Sequence, residues 1–243
     1  EQFVKEMLRV GTTSALVFGT VHPVSIDSFF EVCEKKNLRM IAGKVMMDRN
    51  APSNLLDTAE SSYTDSKALI EKWHERGRLQ YAVTPRFSVT SSHEQLEKAG
   101  QLREEHPSIY LQTHLSESEE ELSMVRKLFP ECKNYLDNYD SHGLLGRRSI
   151  FAHCIHLEED EWSRLSATQS SIAFCPSSNL FLGSGLFSLS CAETHTIKVG
   201  LGSDIGGGTS LSMLSNMNEA YKILRLRNEE FSPLKSFYLA TLG

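Results

Sequence analysis

Ile109-Tyr110-Leu111-Gln112-Thr113-His114-Leu115-Ser116-Glu117 is the stretch on which the reading of this chain turns. An apolar, β-type run ends in a histidine, and a glutamate follows three residues later. A strand whose tip carries an imidazole and a nearby carboxylate brings metal-binding and proton-transfer groups to one mouth of an α/β fold. Two more tips of this kind follow. His153 closes Ile150-Phe151-Ala152, and Asp204 closes Val199-Gly200-Leu201-Gly202-Ser203. Three strands ending in such residues point to one shared site.

Working outward, β-type apolar runs recur at residues 14–18, 40–47, 79–84, 109–113, 149–152, 171–175 and 197–201. Helical patterns separate them at 25–36, 63–77, 92–106, 116–129, 157–167 and 209–225, with a last one at 234–241. Several of the strands are too continuously apolar for a half-exposed antiparallel sheet and suit parallel strands covered by helices. Ser92-x-x-Gln95 and Ser116-x-x-Glu119 have capping-box form, and Gly77 and Gly100 stand in or near helix ends. Strict β-α alternation over seven strands predicts a single-domain α/β chain, a (β/α)₈ TIM barrel with one strand missing. A doubly wound open sheet is the alternative, but it gathers its ligand near one switch point. Here polar residues close strand after strand (Asp48, Arg86, His114, His153, Ser177, Asp204), which favours the barrel.

Composition sets the outer limits. The chain has 243 residues, 40% hydrophobic and 23% charged, enough for a sizeable core. A net charge of −6 argues against a nucleic-acid backbone as partner. No stretch is apolar for long enough to span a bilayer, and Glu1-Gln2-Phe3-Val4-Lys5-Glu6 is not a secretory signal. Five scattered cysteines with no Cys-x-x-Cys read as reduced thiols in the cytoplasm.

Each candidate has a plain structural reading beside the chemical one. His-x-x-Glu occurs twice, at His114/Glu117 and at His156/Glu159, so the spacing alone is weak. Context separates the two, because His114 closes an apolar strand and His156 leads into an acidic helix. His114 is then a metal ligand and Glu117 a proton shuttle, or the histidine is satisfied by local hydrogen bonds. His153 is either a group that binds a metal, a water or a substrate oxygen, or a buried core histidine. Asp204 needs a cation or several donors after so apolar a run, and a following helix N-terminus would serve as well as a metal. The Gly206-Gly207-Gly208 run lacks a phosphate-loop ending and reads as backbone room for a ligand or a tight turn. Arg86 and Phe87 pair a guanidinium with an aromatic, which suits a flat heterocycle, although a surface salt bridge is the ordinary alternative. Cys175 has no neighbouring base and reads as a packed thiol. Trp73 and Trp162 read as helix packing residues.

Thr84-Pro85-Arg86-Phe87, Gln112-Thr113-His114-Leu115-Ser116-Glu117, Ala152-His153-Cys154-Ile155-His156-Leu157, Cys175-Pro176-Ser177-Ser178-Asn179 and Gly202-Ser203-Asp204-Ile205-Gly206-Gly207-Gly208 stand in that order. Together they resemble the amidohydrolase superfamily, and within it the bacterial-type guanine deaminases, through essentially the whole chain. The resemblance implies a metal-dependent barrel, normally with zinc and with iron as an alternative, that hydrolyses guanine to xanthine and ammonia. It implies metal ligation by His114 and Asp204. It assigns proton transfer to Glu117, a place beside the reactive water to His153, and contacts to the purine to Arg86, Phe87 and His114. The partners it implies are a small purine and a second copy of the chain, with no nucleic acid and no membrane.

One departure matters. The family takes two more ligands from a His-x-His at its first strand, and no His-x-His occurs here. The expectation is a barrel portion of a longer enzyme, without strand 1 and the β-sandwich built from the family's termini. An unclosed barrel edge of this kind favours dimerisation. Other amidohydrolase chemistry on a pterin or triazine, and a catalytically silent, metal-poor scaffold, stay open. The zinc cytidine-deaminase fold is disfavoured, because its Cys-x-x-Cys is absent.

Overall fold

The computed structural model describes residues Glu1–Gly243. Its chain falls into two compact units, Glu1–Thr113 with Asp137–Leu144, and His114–Leu136 with Leu145–Gly243. The first contains α1 (Gln2–Arg9), β1 (Ser14–Phe18), α2 (Pro23–Lys35), β2 (Arg39–Gly43), β3 (Val45–Met46), α3 (Ala59–Trp73), β4 (Leu79–Pro85) and α4 (His93–Glu105). It also holds most of β5 (Tyr110–Leu115). The strand order there is β1-β2-β4-β5, with β3 also on β4, and every pairing is parallel.

The expected strand over 40–47 is broken in two by Lys44. Its side chain is fully buried, its ammonium pairs with Asp57, and its backbone N–H donates to the Tyr81 hydroxyl at 3.2 Å. A charge inside an apolar run must find its counter-ion, and doing so turns the backbone out of the ladder. Among the first unit's strands, β4 comes closest to a parallel strand covered on both faces, whereas no residue of β1 is fully buried. In β4 six of seven residues are buried. Trp73, at the end of α3, packs on Phe30 and donates its indole N–H to Asp27 at 2.7 Å.

The second unit takes the tip of β5, then α5 (Glu119–Leu128) and β6 (Ser149–His153). Between those two lies α6 (Tyr135–Ser141), whose residues from Asp137 onward belong to the first unit. There follow α7 (Glu159–Ala167), β7 (Ser171–Phe174), α8 (Pro176–Leu182), α9 (Leu189–Thr194), β8 (Lys198–Leu201), α10 (Met213–Leu226) and α11 (Pro233–Thr241). β6, β7 and β8 pair in parallel in that order. Phe174 and Phe187 stack at 4.6 Å, with Trp162 against Phe187, in a core to which each buried aromatic contributes about 1.5–3 kcal/mol.

Besides α1, three helices lie outside the expected runs: α6, α8 and α9, of seven, seven and six residues. They are too short to show a 3.6-residue pattern. Gly100 is not at a helix end but inside α4, where any Cβ would come within 2.3 Å of the His142 carbonyl oxygen. The helix expected to open with a capping box at Ser116 is instead capped two residues later, by the Ser118 hydroxyl alone. Ser118 accepts from the Glu121 N–H at 3.2 Å, while Ser116 is buried with a φ of +50°.

Candidate functional site

The tips of β5 and β6 are joined by main-chain hydrogen bonds. Cys154 donates to the Leu115 carbonyl at 2.9 Å, and the Ile155 and His156 N–H groups both donate to the Ser116 carbonyl, at 3.0 and 3.1 Å. This lacing needs left-handed backbone at Ser116, His153 and Cys154, with φ of +50°, +73° and +53°. Non-glycine residues in that region cost about 1–2 kcal/mol each, and such strain gathers at functional sites. The result is that the His114 and His153 rings stack, with centroids 5.2 Å apart and planes 22° apart.

His153 is buried, 1% exposed. Burial, and then the neighbouring His114, hold its imidazole well below the usual histidine range, so the ring is neutral. Its Nδ1 meets the Asn179 side-chain amide nitrogen at 2.9 Å, and its Nε2 faces Glu117 Oε2 at 3.6 Å. The other carboxylate oxygen of Glu117 accepts the Ser184 hydroxyl at 3.0 Å. The Glu117 backbone is pinned by α5, since its N–H donates to Glu121 Oε2 at 3.0 Å. A neutral imidazole beside a held carboxylate can relay or share a proton.

Asp204 follows β8 with a φ of +45°. Its Oδ2 lies 3.1 Å from where a Cβ on Gly207 would stand, so Gly207 leaves that oxygen room. Cys175 relates Asp204 to the first group. Burial, then the charges of Asp204 and Glu117, push its thiol well above its ordinary range. Both carboxylates therefore act on one sulfur, and Cys175 is the protonated, packed thiol that its sequence context indicated.

Among the described residues, no three His, Cys, Asp or Glu side chains converge closely enough to hold a metal ion. His114 and Asp204 are donor types that suit zinc, yet two donors fall short of the set zinc sites use. The residues of this chain do not by themselves make a metal centre.

Within the first unit, Arg86 and Phe87 form a pair of their own. The guanidinium carbon sits 4.6 Å above the Phe87 ring, Arg86 is exposed and Phe87 half-buried. Two other strand-end residues are engaged structurally. Asp48 accepts from the Ser92 backbone at 2.8 Å at the start of α4, and Ser177 donates to Asn216 at 2.8 Å. His156 is also occupied, with Nε2 on the Ser184 carbonyl at 2.8 Å.

Sequence reasoning missed Asn179 and Ser184. Pro176 and Gly183 bracket a short helix in the pattern proline takes at the first position and glycine just past the end. That signal would have placed Asn179 on α8 and Ser184 immediately beyond it.

The chain matches the Amidohydrolase family over residues 1–243. It is 59% identical to guanine deaminase of Escherichia coli (strain K12) over 241 residues, which covers 99% of this chain and 55% of that protein. The solved E. coli guanine deaminase superposes with a TM-score of 0.99, covering 100% of this chain and 57% of that one. Guanine deaminase from C. acetobutylicum, solved with guanine in its active site, is 30% identical with a TM-score of 0.95, covering 99% and 59%. The chain thus spans a little over half the length of these relatives. The parallel α/β architecture expected from the sequence is the one these barrel enzymes share, and the family is typically metal-dependent. With the family match running over residues 1–243 and 59% identity to a guanine deaminase, the chain belongs to the Amidohydrolase family.

Proposed function

We propose that this chain carries the reacting groups of an enzyme that hydrolyses guanine to xanthine and ammonia. The observation that carries the reading is the group in the second unit: a neutral, buried His153 stacked on His114 and facing a Glu117 that Ser184 holds. Support also comes from 59% identity to a guanine deaminase.

In this mechanism water adds to the purine C2. Glu117 takes a proton from that water and gives it to the ring nitrogen beside C2. The C2–N bond of the exocyclic amine then breaks, and a second proton passing through Glu117 leaves with the amine as ammonia. Asp204 aims the water oxygen at C2 and helps draw off the proton left on it after addition, the one that leaves with the amine, and His153 donates a hydrogen bond to that oxygen. A divalent metal, zinc before iron, would be held by His114 and Asp204 together with ligands not among these residues, and its chemistry would be to bring the pKa of a bound water toward neutrality. Arg86 would receive the purine carbonyl and Phe87 the ring face, which the planar cation-on-ring pair in the first unit supports. His114 would also touch the substrate. A homodimer in the cytoplasm completes the proposal, and five free thiols are consistent with that compartment.

The test is Glu117→Gln in the complete protein. Ammonia release from guanine should fall by about 100-fold or more, with guanine binding retained in calorimetry. Undiminished turnover would end the assignment. The scaffold reading has one observation in its favour, the lack of three convergent donors. Metal-free protein that releases no ammonia from guanine would support it.

A further inference from the structure

We propose that Asn179 decides which nitrogen of His153 carries the ring proton, and that Ser184 decides which oxygen of Glu117 meets it. His153 and Glu117 then face each other as Nε2–H and Oε2. The inference deepens the proposed deaminase reading and rests on it for its catalytic consequence alone.

Two contacts agree on the direction. The Asn179 amide nitrogen, 2.9 Å from Nδ1, has hydrogens to give and no lone pair to accept with, so Nδ1 is the acceptor. A ring whose Nδ1 accepts has no hydrogen there, so its hydrogen is on Nε2. At the other end of the ring Nε2 looks at Glu117 Oε2 over 3.6 Å. A lone pair there would face a carboxylate, whereas an N–H is attracted to it. The Ser184 hydroxyl on Oε1, at 3.0 Å, holds the carboxylate rotated with Oε2 toward the ring. Asn179 and Ser184 are both nearly inaccessible, 1% and 7% exposed, and both belong to the turn of chain formed by α8 and its exit.

The buried Nε2 has no hydrogen-bond partner within the chain, nor has Asn179 Oδ1. Buried polar atoms left so are uncommon and call for an explanation. An Nε2–H aimed into the site is a donor for an oxygen of the reacting molecule, and it lacks the lone pair a ligand nitrogen needs. His153 is thereby a hydrogen-bond donor, and Asn179 is a positioning residue that acts through it. Ser184 positions Glu117 in the same sense.

The experiment is nitrogen NMR on the complete protein labelled with ¹⁵N-histidine, alongside steady-state kinetics on guanine. For His153 the expected result is a pyrrole-type Nε2 and a pyridine-type Nδ1. Asn179→Asp substitutes an acceptor for the donor and should place hydrogen on Nδ1. It should lower kcat by about 100-fold while KM changes far less. Ser184→Ala should lower kcat, and Ser184→Thr, which keeps the hydroxyl, should restore it. A wild-type ring protonated on Nδ1 overturns the proposal, and so does an unchanged ring pattern in Asn179→Asp. If that variant does not fold, the wild-type spectrum decides alone. Failure of the deaminase reading would show separately, as wild-type protein that releases no ammonia from guanine.

Discussion

Single side chains in this chain do more than fill space where both ends of a polar group are engaged. His195 is the clearest case outside the site. Its Nδ1 meets the Cys191 carbonyl at 2.9 Å and its Nε2 meets Glu159 at 3.0 Å, so both nitrogens face acceptors. The Cys191 carbonyl, aided by Glu159 and opposed by burial, raises its pKa above the ordinary 6.5. A raised folded-state pKa gives stability that is fully present below about pH 6.5 and is lost as pH rises through the folded value. His195→Gln should therefore lower the melting temperature at pH 6 and have a fading effect toward pH 8. A difference that grows with pH would contradict this. At the same scale, the sequence singled out His114, His153 and Asp204 because each closes an apolar run, where polar atoms need a reason, and Glu117 by its spacing from His114. Asn179 and Ser184 stayed hidden. Neither ends a strand, and an amide or hydroxyl matters only through the partner it meets in three dimensions.

At the scale of elements, the strands were legible as short apolar runs, a pattern that burial makes nearly continuous in β4, and the long helices because their apolar faces recur. The break between β2 and β3 was not legible, since its cause is a contact between Lys44 and Asp57, thirteen residues away. That contact makes a firm prediction. Asp57→Ala leaves a fully buried ammonium without its counter-ion and should cost about 3–5 kcal/mol in urea unfolding. A loss below 1 kcal/mol would show that Lys44 finds water or another acceptor. The join between β2 and β4 is equally tight. A Cβ on Gly43 would fall 1.7 Å from the Ala82 carbonyl oxygen, which is backbone and has little freedom to give way. Gly43→Ala should destabilise by about 3 kcal/mol or more, and a wild-type denaturation midpoint would refute the close approach.

At the scale of the whole chain, the order of motifs carries the family and the number of donors limits the chemistry. With His114 and Asp204 as the two proposed ligands and no three such side chains arranged to hold a metal ion, residues 1–243 alone should retain substoichiometric zinc after dialysis, as measured by elemental analysis. A full equivalent would mean that other donors rearrange to complete the shell. The distance between the two imidazoles is governed differently, by three main-chain bonds between strand exits that contain no side-chain atom. Asn179 apart, side chains around the mouth are not what sets that distance. On the proposed reading, substrate preference is free to drift over generations while the two rings keep their spacing, and a fold built this way can be re-aimed at a new heterocycle without being rebuilt.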